Sequence, residues 1–378
     1  MSANTFLFQV NVTRDCDLRC THCYISSDKK YQSQFMTEDQ FIDAMAKIAD
    51  YLDHDDANRN HYQVAEIHVI GGEPSMLGVE FFEKTLPIVR ERFSRSKKQV
   101  KLSIVTNLLQ QRALEVARMF DEVSTSYEFF SRFNKQKQED MWAANARQLM
   151  SEGGKVNVTM AVTKYATDLG AEHVLNFFDN MGFTNMHLGF FIPSGDGIVN
   201  MIDVFPPFHA TSEFMIDATN WYMERRLERP ELYVNPVESM IESIYLEAPI
   251  DDIVCPIVTG SLDIDWNGET VTCIEAGGEV DAPSLGNVFE SDVIQILSDR
   301  PYKMEHRKAI TPKPHCIGCD ELPVCNSACG VLHQFWNGKG ECPGFKQFIK
   351  YIRHLVTEKG VKPKTVLLGA ESAGSAHC

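Results

Sequence analysis

Cysteine placement constrains this chain more than any other feature. Eleven cysteines occur in 378 residues: three at positions 16, 20 and 23, none from 24 to 254, seven from 255 to 342, and one at the last position. Cysteines scattered through a core for packing would not leave such a gap. No apolar run reaches the ~18 residues of a membrane span. The start, up to Asp15, has only the short apolar stretch Phe6-Leu7-Phe8, so no secretory signal is expected. The chain is therefore expected in the cytoplasm, where disulfides are a poor use of thiols and metal or redox chemistry is the better one. Two separate metal-binding regions are the expectation.

The charge balance narrows the partners. Lys plus Arg total 36 and Asp plus Glu 52, a net charge of −16. Phosphate binding needs clustered positive charge, so nucleic acid is not expected as a partner. Hydrophobic residues at 44% and charged residues at 23% suit an ordered globular chain of two or three domains.

Hydrophobic periodicity organises the first half. Alternating β-forming runs occur at Phe6–Val12, Glu66–Ile70, Lys101–Val105, Glu122–Ser126, Val156–Val162 and Met186–Ile192. Between them Thr37 and Gln40 form a capping box ahead of Phe41, Met45, Ile48 and Leu52 at helical spacing. Helical patterns also cover Phe81–Phe93, Leu109–Phe120, Asp140–Met150 and Leu169–Met181. Six strands alternating with five helices predict a parallel sheet with right-handed crossovers. Periodicity alone leaves open whether it is flat or a partial barrel. Chemistry in such folds sits at the C-terminal strand ends. There the chain places Cys16, Cys20 and Cys23, then Gly71-Gly72-Glu73-Pro74, Asn107, Ser124, and Pro193-Ser194-Gly195.

Cys16-x3-Cys20-x2-Cys23 puts three thiolates within eight residues. Structural zinc prefers four closed ligands. An iron–sulfur cluster on three thiolates keeps one iron open. The spacing by itself admits either.

Taken with Gly71-Gly72-Glu73-Pro74, the segment Cys16-Asp-Leu-Arg-Cys20-Thr-His-Cys23-Tyr24 resembles a radical S-adenosylmethionine (SAM) enzyme, over about residues 6 to 345. The resemblance implies a partial (β/α)6 barrel and a [4Fe–4S] cluster on the triplet. Its open iron would chelate the amino and carboxylate groups of SAM. One electron would cleave SAM to methionine and a 5′-deoxyadenosyl radical that abstracts hydrogen from a substrate. It further implies that Gly71 and Gly72 let backbone approach the ligand, with Pro74 completing the motif. Glu73 would accept from the SAM ammonium group, and His22 would lie near adenine. Asn107 and Ser124 would contact the ribose or methionine part. Where many relatives read Ser-Leu-Asp-Gly, this chain has Ser124-Thr-Ser-Tyr127, so carry-over stops at Ser124. Arg132 is a further candidate partner for the SAM carboxylate, in a register the sequence leaves open.

The second region reads Cys255, Gly268-x4-Cys273, Cys316-x2-Cys319-x5-Cys325-x3-Cys329 and Cys342. A pair of zinc ribbons is the bland reading of such spacings. The pattern also resembles the SPASM extension of radical SAM enzymes, which binds two auxiliary iron–sulfur clusters. That makes three [4Fe–4S] clusters in all. By that resemblance Cys255, Cys273 and Cys329 hold an inner cluster, and Cys316, Cys319, Cys325 and Cys342 an outer one. An eighth cysteine found in some relatives is missing. Cys378 is a conceivable substitute, although the tail from Leu368 reads as flexible and unligated. Leu262–Thr272 carries a hairpin signal around Asn267-Gly268, and Leu285–Val288 matches the segment that follows it in SPASM proteins. Phe345, Phe348, Ile349, Ile352 and Leu355 predict a closing amphipathic helix packed on the core. The expected organisation is a radical SAM core (1–230), a bridge (231–254), a SPASM domain (255–345) and a terminal helix with tail (346–378).

For the substrate, the resemblance implies two uses. One is oxidative modification of a ribosomally made peptide by cross-linking, oxidation or epimerisation. The other is oxidation or epimerisation of a small molecule such as an aminosugar. Two auxiliary clusters favour the peptide. Only 15 residues precede Cys16, too few for an N-terminal leader-recognition domain, so recognition is expected at the barrel mouth, the SPASM surface or a separate protein. A flavodoxin- or ferredoxin-like electron donor is implied. The sulfatase-maturing branch, with aspartate after the equivalent of Cys273, is less expected because Ile274 stands there. Glu275, one residue on, and Asp196, after the sixth strand, are the candidate proton acceptors.

Overall fold

A computed structural model describes residues 5–27, 34–54, 62–250, 253–273, 275 and 283–368. Its six expected strands are β1 (Thr5–Thr13), β2 (Val64–Gly71), β3 (Gln99–Thr106), β4 (Glu122–Ser126), β5 (Val156–Val162) and β6 (Asn185–Phe190). Each pairs in parallel with the next. The connecting helices include α1 (Glu38–Asp53), α2 (Val79–Phe93), α3 (Gln111–Ala117), α4 (Gln136–Ser151), α5 (Lys164–Leu169) and α6 (Ala171–Met181). The sheet does not close on itself, so the chain folds as a partial (β/α)6 barrel.

Local chemistry sets these elements. Both halves of the α1 capping box are made: Gln40 N donates to Thr37 Oγ1 at 3.2 Å and Thr37 N to Gln40 Oε1 at 2.9 Å. Phe41, Met45, Ile48 and Leu52 are buried. The helix expected over Leu169–Met181 is instead two, because Gly170 has φ +84° and caps the end of α5 and the start of α6. The helix expected from Leu109 begins at Gln111, since the Asn107 side chain holds the Leu109 N–H at 3.0 Å in a turn.

Side-chain alternation decides what each face of the sheet sees. Phe6 and Phe8 meet Tyr51 of α1 at 5.3 and 5.9 Å between centroids. Gln9 and Asn11 therefore face the concave side. There Gln9 donates to Asp263 (3.1 Å), Asn11 to Asp265 (3.0 Å) and Lys101 to Glu66 (3.0 Å). Barrel interiors are usually filled by Val, Ile and Leu; this one is polar.

Four further strands extend the sheet beyond the expected six. β7 (Tyr233–Asn235) pairs with β6, and β8 (Ser261–Ile264) pairs in parallel with the outer edge of β1. β9 (Glu269–Val271) and β10 (Gly286–Asn287) follow antiparallel, completing the expected hairpin and the segment after it. A three-residue strand such as β7 is too short to show alternation. The expected amphipathic helix is Lys346–Thr357, with Phe348, Ile349 and Ile352 wholly buried, and a further short helix, Lys364–Leu367, follows it. Among the described residues no helix is long and apolar enough to cross a membrane.

Candidate cofactor and active site

The loop after β1 carries Cys16, Cys20 and Cys23, all free thiols. Leu18 N–H points at Cys16 Sγ and Ile25 N–H at Cys23 Sγ, both at 3.4 Å. Burial, then the neighbouring Cys20, pushes the Cys16 thiol well up, so a thiolate here depends on a positive partner or a metal. Backbone bonds dock the loop on two sides. Thr21 N donates to Ser131 O at 3.0 Å and Gly197 N to Cys23 O at 3.1 Å.

Gly71 and Gly72 lie where the ends of β1 and β2 nearly touch. A Cβ on Gly71 would stand 2.4 Å from Thr13 O, and one on Gly72 2.3 Å from Asp15 O. Gly72 N and Glu73 N donate to those same carbonyls at 2.7 and 2.8 Å. The close approach is thus to the cysteine loop's own backbone. Glu73 is fully buried and caps the 3-10 turn Pro74–Leu77. Its Oε1 accepts from Ser75 N (3.0 Å) and Thr106 Oγ1 (2.7 Å), and its Oε2 from Asn107 N (2.7 Å). Burial, partly offset by these bonds, raises its pKa. Asn107 Nδ2 in turn donates to Asp17 Oδ1 at 2.7 Å. Ser124 is buried on β4, in register with Val105 and Asn157.

Sequence reasoning missed Glu128. It is 4% exposed, and its Oε2 meets His22 Nε2 at 3.0 Å and Arg132 Nε at 2.6 Å. Its Oε1 accepts from Ala161 N at 3.1 Å. Burial works to raise its pKa, but Arg132 and then His22 prevail and hold it at about 2. Arg132, proposed from sequence for the SAM carboxylate, is committed to Glu128, while its carbonyl receives Cys20 Sγ at 3.7 Å. The one cue in the sequence was an acid four residues before an arginine. Near the same strand ends, His22 Nδ1, Ser131 Oγ, Thr163 Oγ1 and Ser194 Oγ are buried without a protein partner.

The later cysteines fall into two groups. Cys316, Cys319 and Cys342 each act on Cys325, whose thiol is pushed up to about 12, chiefly by burial. Cys329 is pushed up to about 11 by burial, with Glu275 and Cys255 adding to the effect. No three of the described His, Cys, Asp or Glu side chains converge as tightly as the ligands of a single ion. Between the groups, Asn326, Ser327 and Ala328 all take positive φ (47°, 66° and 57°), a run that costs L-residues about 1–2 kcal/mol each. Lys313 N donates to Ser327 Oγ (3.0 Å), and His333 Nε2–H to Ser327 O (2.7 Å). Cys378 lies outside the described residues.

Glu275 is partly buried, and burial, then Asp263, raises its pKa to about 7. It follows Cys273 by two residues in the chain. Asp196 faces the far end of the first loop. Its Oδ1 accepts from Ser27 N at 2.8 Å and its Oδ2 from Ser27 Oγ.

The model of the radical SAM superfamily matches residues 10–190, and that of the SPASM iron–sulfur cluster-binding domain residues 255–320. The chain belongs to the radical SAM superfamily and carries a SPASM domain. No curated protein matches it. Among solved structures it is similar to anSMEcpe with bound AdoMet, at 16% identity and TM-score 0.72, over 94% of this chain and 98% of that one. It is also similar to Streptococcus suis SuiB bound to precursor peptide SuiA, at 15% identity and TM-score 0.58, over 90% of this chain and 74% of that one. The protein is an enzyme whose cofactors are SAM, a [4Fe–4S] cluster and auxiliary iron–sulfur clusters. Its residues fit them. A three-thiol loop with N–H groups aimed at sulfur suits a cluster, and the bare buried hydroxyls suit a polar ligand.

Proposed function

We propose that the enzyme oxidatively modifies a ribosomally made peptide by C–H abstraction. Cys16, Cys20 and Cys23 hold the cluster that binds SAM, which when bound supplies a hydrogen-abstracting 5′-deoxyadenosyl radical. Cys255, Cys273 and Cys329 hold the inner auxiliary cluster, and Cys316, Cys319, Cys325 and Cys342 the outer one. Gly71, Gly72 and Pro74 shape the SAM cradle, and Asn107 and Ser124 line it. Three protein bonds to Glu73 leave its Oε2 one acceptor position for an ammonium group.

The observation that carries this reading is that the chain has two sets of free thiols, on the loop after β1 and in the segment around β8, and that β8 pairs with β1 in one sheet. A substrate held between two such centres can lose hydrogen to one side and an electron to the other. Glu275, by position, is the candidate that takes up the proton; Asp196, tied to Ser27, serves to hold the loop. A flavodoxin- or ferredoxin-like protein is the electron donor. The peptide class is supported by two proteins of this fold whose structures carry peptides: anSMEcpe with Kp18Cys peptide and SuiB with SuiA.

One observation favours the small-molecule alternative. The concave face is lined by Gln9, Glu66, His68 and Lys101, which suits a polar metabolite such as an aminosugar. Mass spectrometry decides between them. A short peptide encoded beside the gene, co-expressed with the enzyme, should become lighter by two hydrogen atoms, dependent on Cys16 and Cys273. An unmodified peptide with turnover of an aminosugar transfers the assignment to the metabolite.

A further inference from the structure

A groove of about 560 Å³ opens beside the site already described. The first turn of α1, the start of α2 and the 3-10 turn after β2 wall it, and Thr13 and Asp15 line it at the end of β1. Met36 and Phe81 are buried in it, while Phe35 and Met76 stay 49% and 38% exposed. The exposure of Phe35 is built in. Arg14 N donates to Gln34 O at 3.0 Å and Met36 N to Val12 O at 2.8 Å, so backbone bonds on both sides of Phe35 hold it against β1. An apolar patch that lines a groove and is rimmed by charge has the pattern of an interaction site.

Carboxylates supply the charge. Asp15, Glu38 and Asp39 all line the groove, and Asp15 Oδ1 is buried without a protein partner. Glu38 meets Lys84 at 3.3 Å, but that lysine also holds Glu80 at 2.9 Å, so one cation serves two acids. The chain as a whole carries −16. Such a surface suits a partner that brings an apolar side chain and positive charge together, and it repels an acidic one. The groove is also tied to the site. Asp15 directly precedes Cys16, and its carbonyl accepts from Glu73 N at 2.8 Å. A small metabolite enclosed by the barrel has no use for a groove among the helices. A peptide, which leaves most of its length outside, does.

Resting on the reading that the substrate is a peptide, we propose that this groove docks a segment of it remote from the modified residue, one that carries a large apolar side chain next to Lys or Arg. Recognition is then divided. The groove selects the peptide, and the barrel mouth selects the residue that reacts.

The test uses the reconstituted holoenzyme and the short peptide encoded beside its gene, with dithionite as reductant so that no electron-donor protein takes part. Mass spectrometry gives KM and kcat for the wild type, Phe35→Ser and Asp39→Lys. Each variant should raise the KM for the peptide about fivefold or more. Each should keep kcat within about twofold, as when binding is lost equally from ground and transition states. Iron content and SAM cleavage without peptide should stay at wild-type levels. Raising the salt from about 0.1 to about 1 M shortens screening from ~10 to ~3 Å, and it should raise KM more in the wild type than in Asp39→Lys. The photoreactive variant Phe35→p-benzoylphenylalanine should cross-link to the apolar and basic segment of the peptide. If Phe35→Ser fails to fold, Asp39→Lys decides. An unchanged KM in the folded variants, or cross-linking only within the chain, overturns the docking site and leaves peptide modification standing. Turnover altered only when a flavodoxin replaces dithionite gives the groove to the electron donor and overturns the proposal as well. A wild type that leaves the peptide unmodified fails the peptide reading itself, and this inference with it.

Discussion

Glu73 shows how much of a motif's role is carried by internal bonding. Its carboxylate receives three protein donors from two strand ends. Glu73→Gln keeps the shape but must aim an amide N–H at one of those donors. We expect a loss of about 1–3 kcal/mol in urea unfolding of the apoprotein; unchanged stability would show that the bonds are dispensable. Glu128 makes a pH prediction. Its pKa is depressed to about 2 from an ordinary 4.5, so its contribution to stability is fully present above the ordinary value and is lost as pH falls toward 2. The stability gap between wild type and Glu128→Gln should therefore narrow from pH 4.5 downward. A gap that stays constant would mean the carboxylate is not held ionised. Residue roles divide sharply in legibility. The cysteines and Gly-Gly-Glu-Pro could be read because their spacing is local. The His22–Glu128 contact joins loops after different strands, and nothing local announces it.

At the scale of elements, the turn after β2 and the loop after β1 form one unit. Gly72 N and Glu73 N bond to the loop's carbonyls, and a methyl on Gly72 would stand 2.3 Å from one of them. Gly72→Ala should thus push the cysteine loop away, lowering both the melting temperature and the iron bound at the first site. Iron equal to the wild type would show that the loop can yield without losing its ligand geometry. The strands were legible because one face packs on helices, and apolar residues recur at every second position, as Phe6, Phe8, Val10 and Val12 do. β7 was not, since three residues contain no period. Nor was the break at Gly170, because the apolar pattern runs through it and only the backbone conformation marks it.

For the whole molecule, three clusters of four irons predict about 12 iron and about 12 sulfide per chain after anaerobic reconstitution. Replacing Cys16, Cys20 and Cys23 together by alanine should remove about a third of the iron and abolish SAM cleavage. Zinc in its place, or iron near one cluster's worth, would contradict the assignment of both regions. The two regions share one sheet because β8 adds to the open edge of β1. That pairing has a meaning for biosynthesis. The outer edge of β1 stays uncovered until Ser261–Ile264 has left the ribosome. At about 5–20 residues per second this takes on the order of ten to fifty seconds. Throughout that interval a nascent barrel presents unpaired strand backbone beside the thiols of the first loop, an edge open to pairing with other chains until β8 covers it.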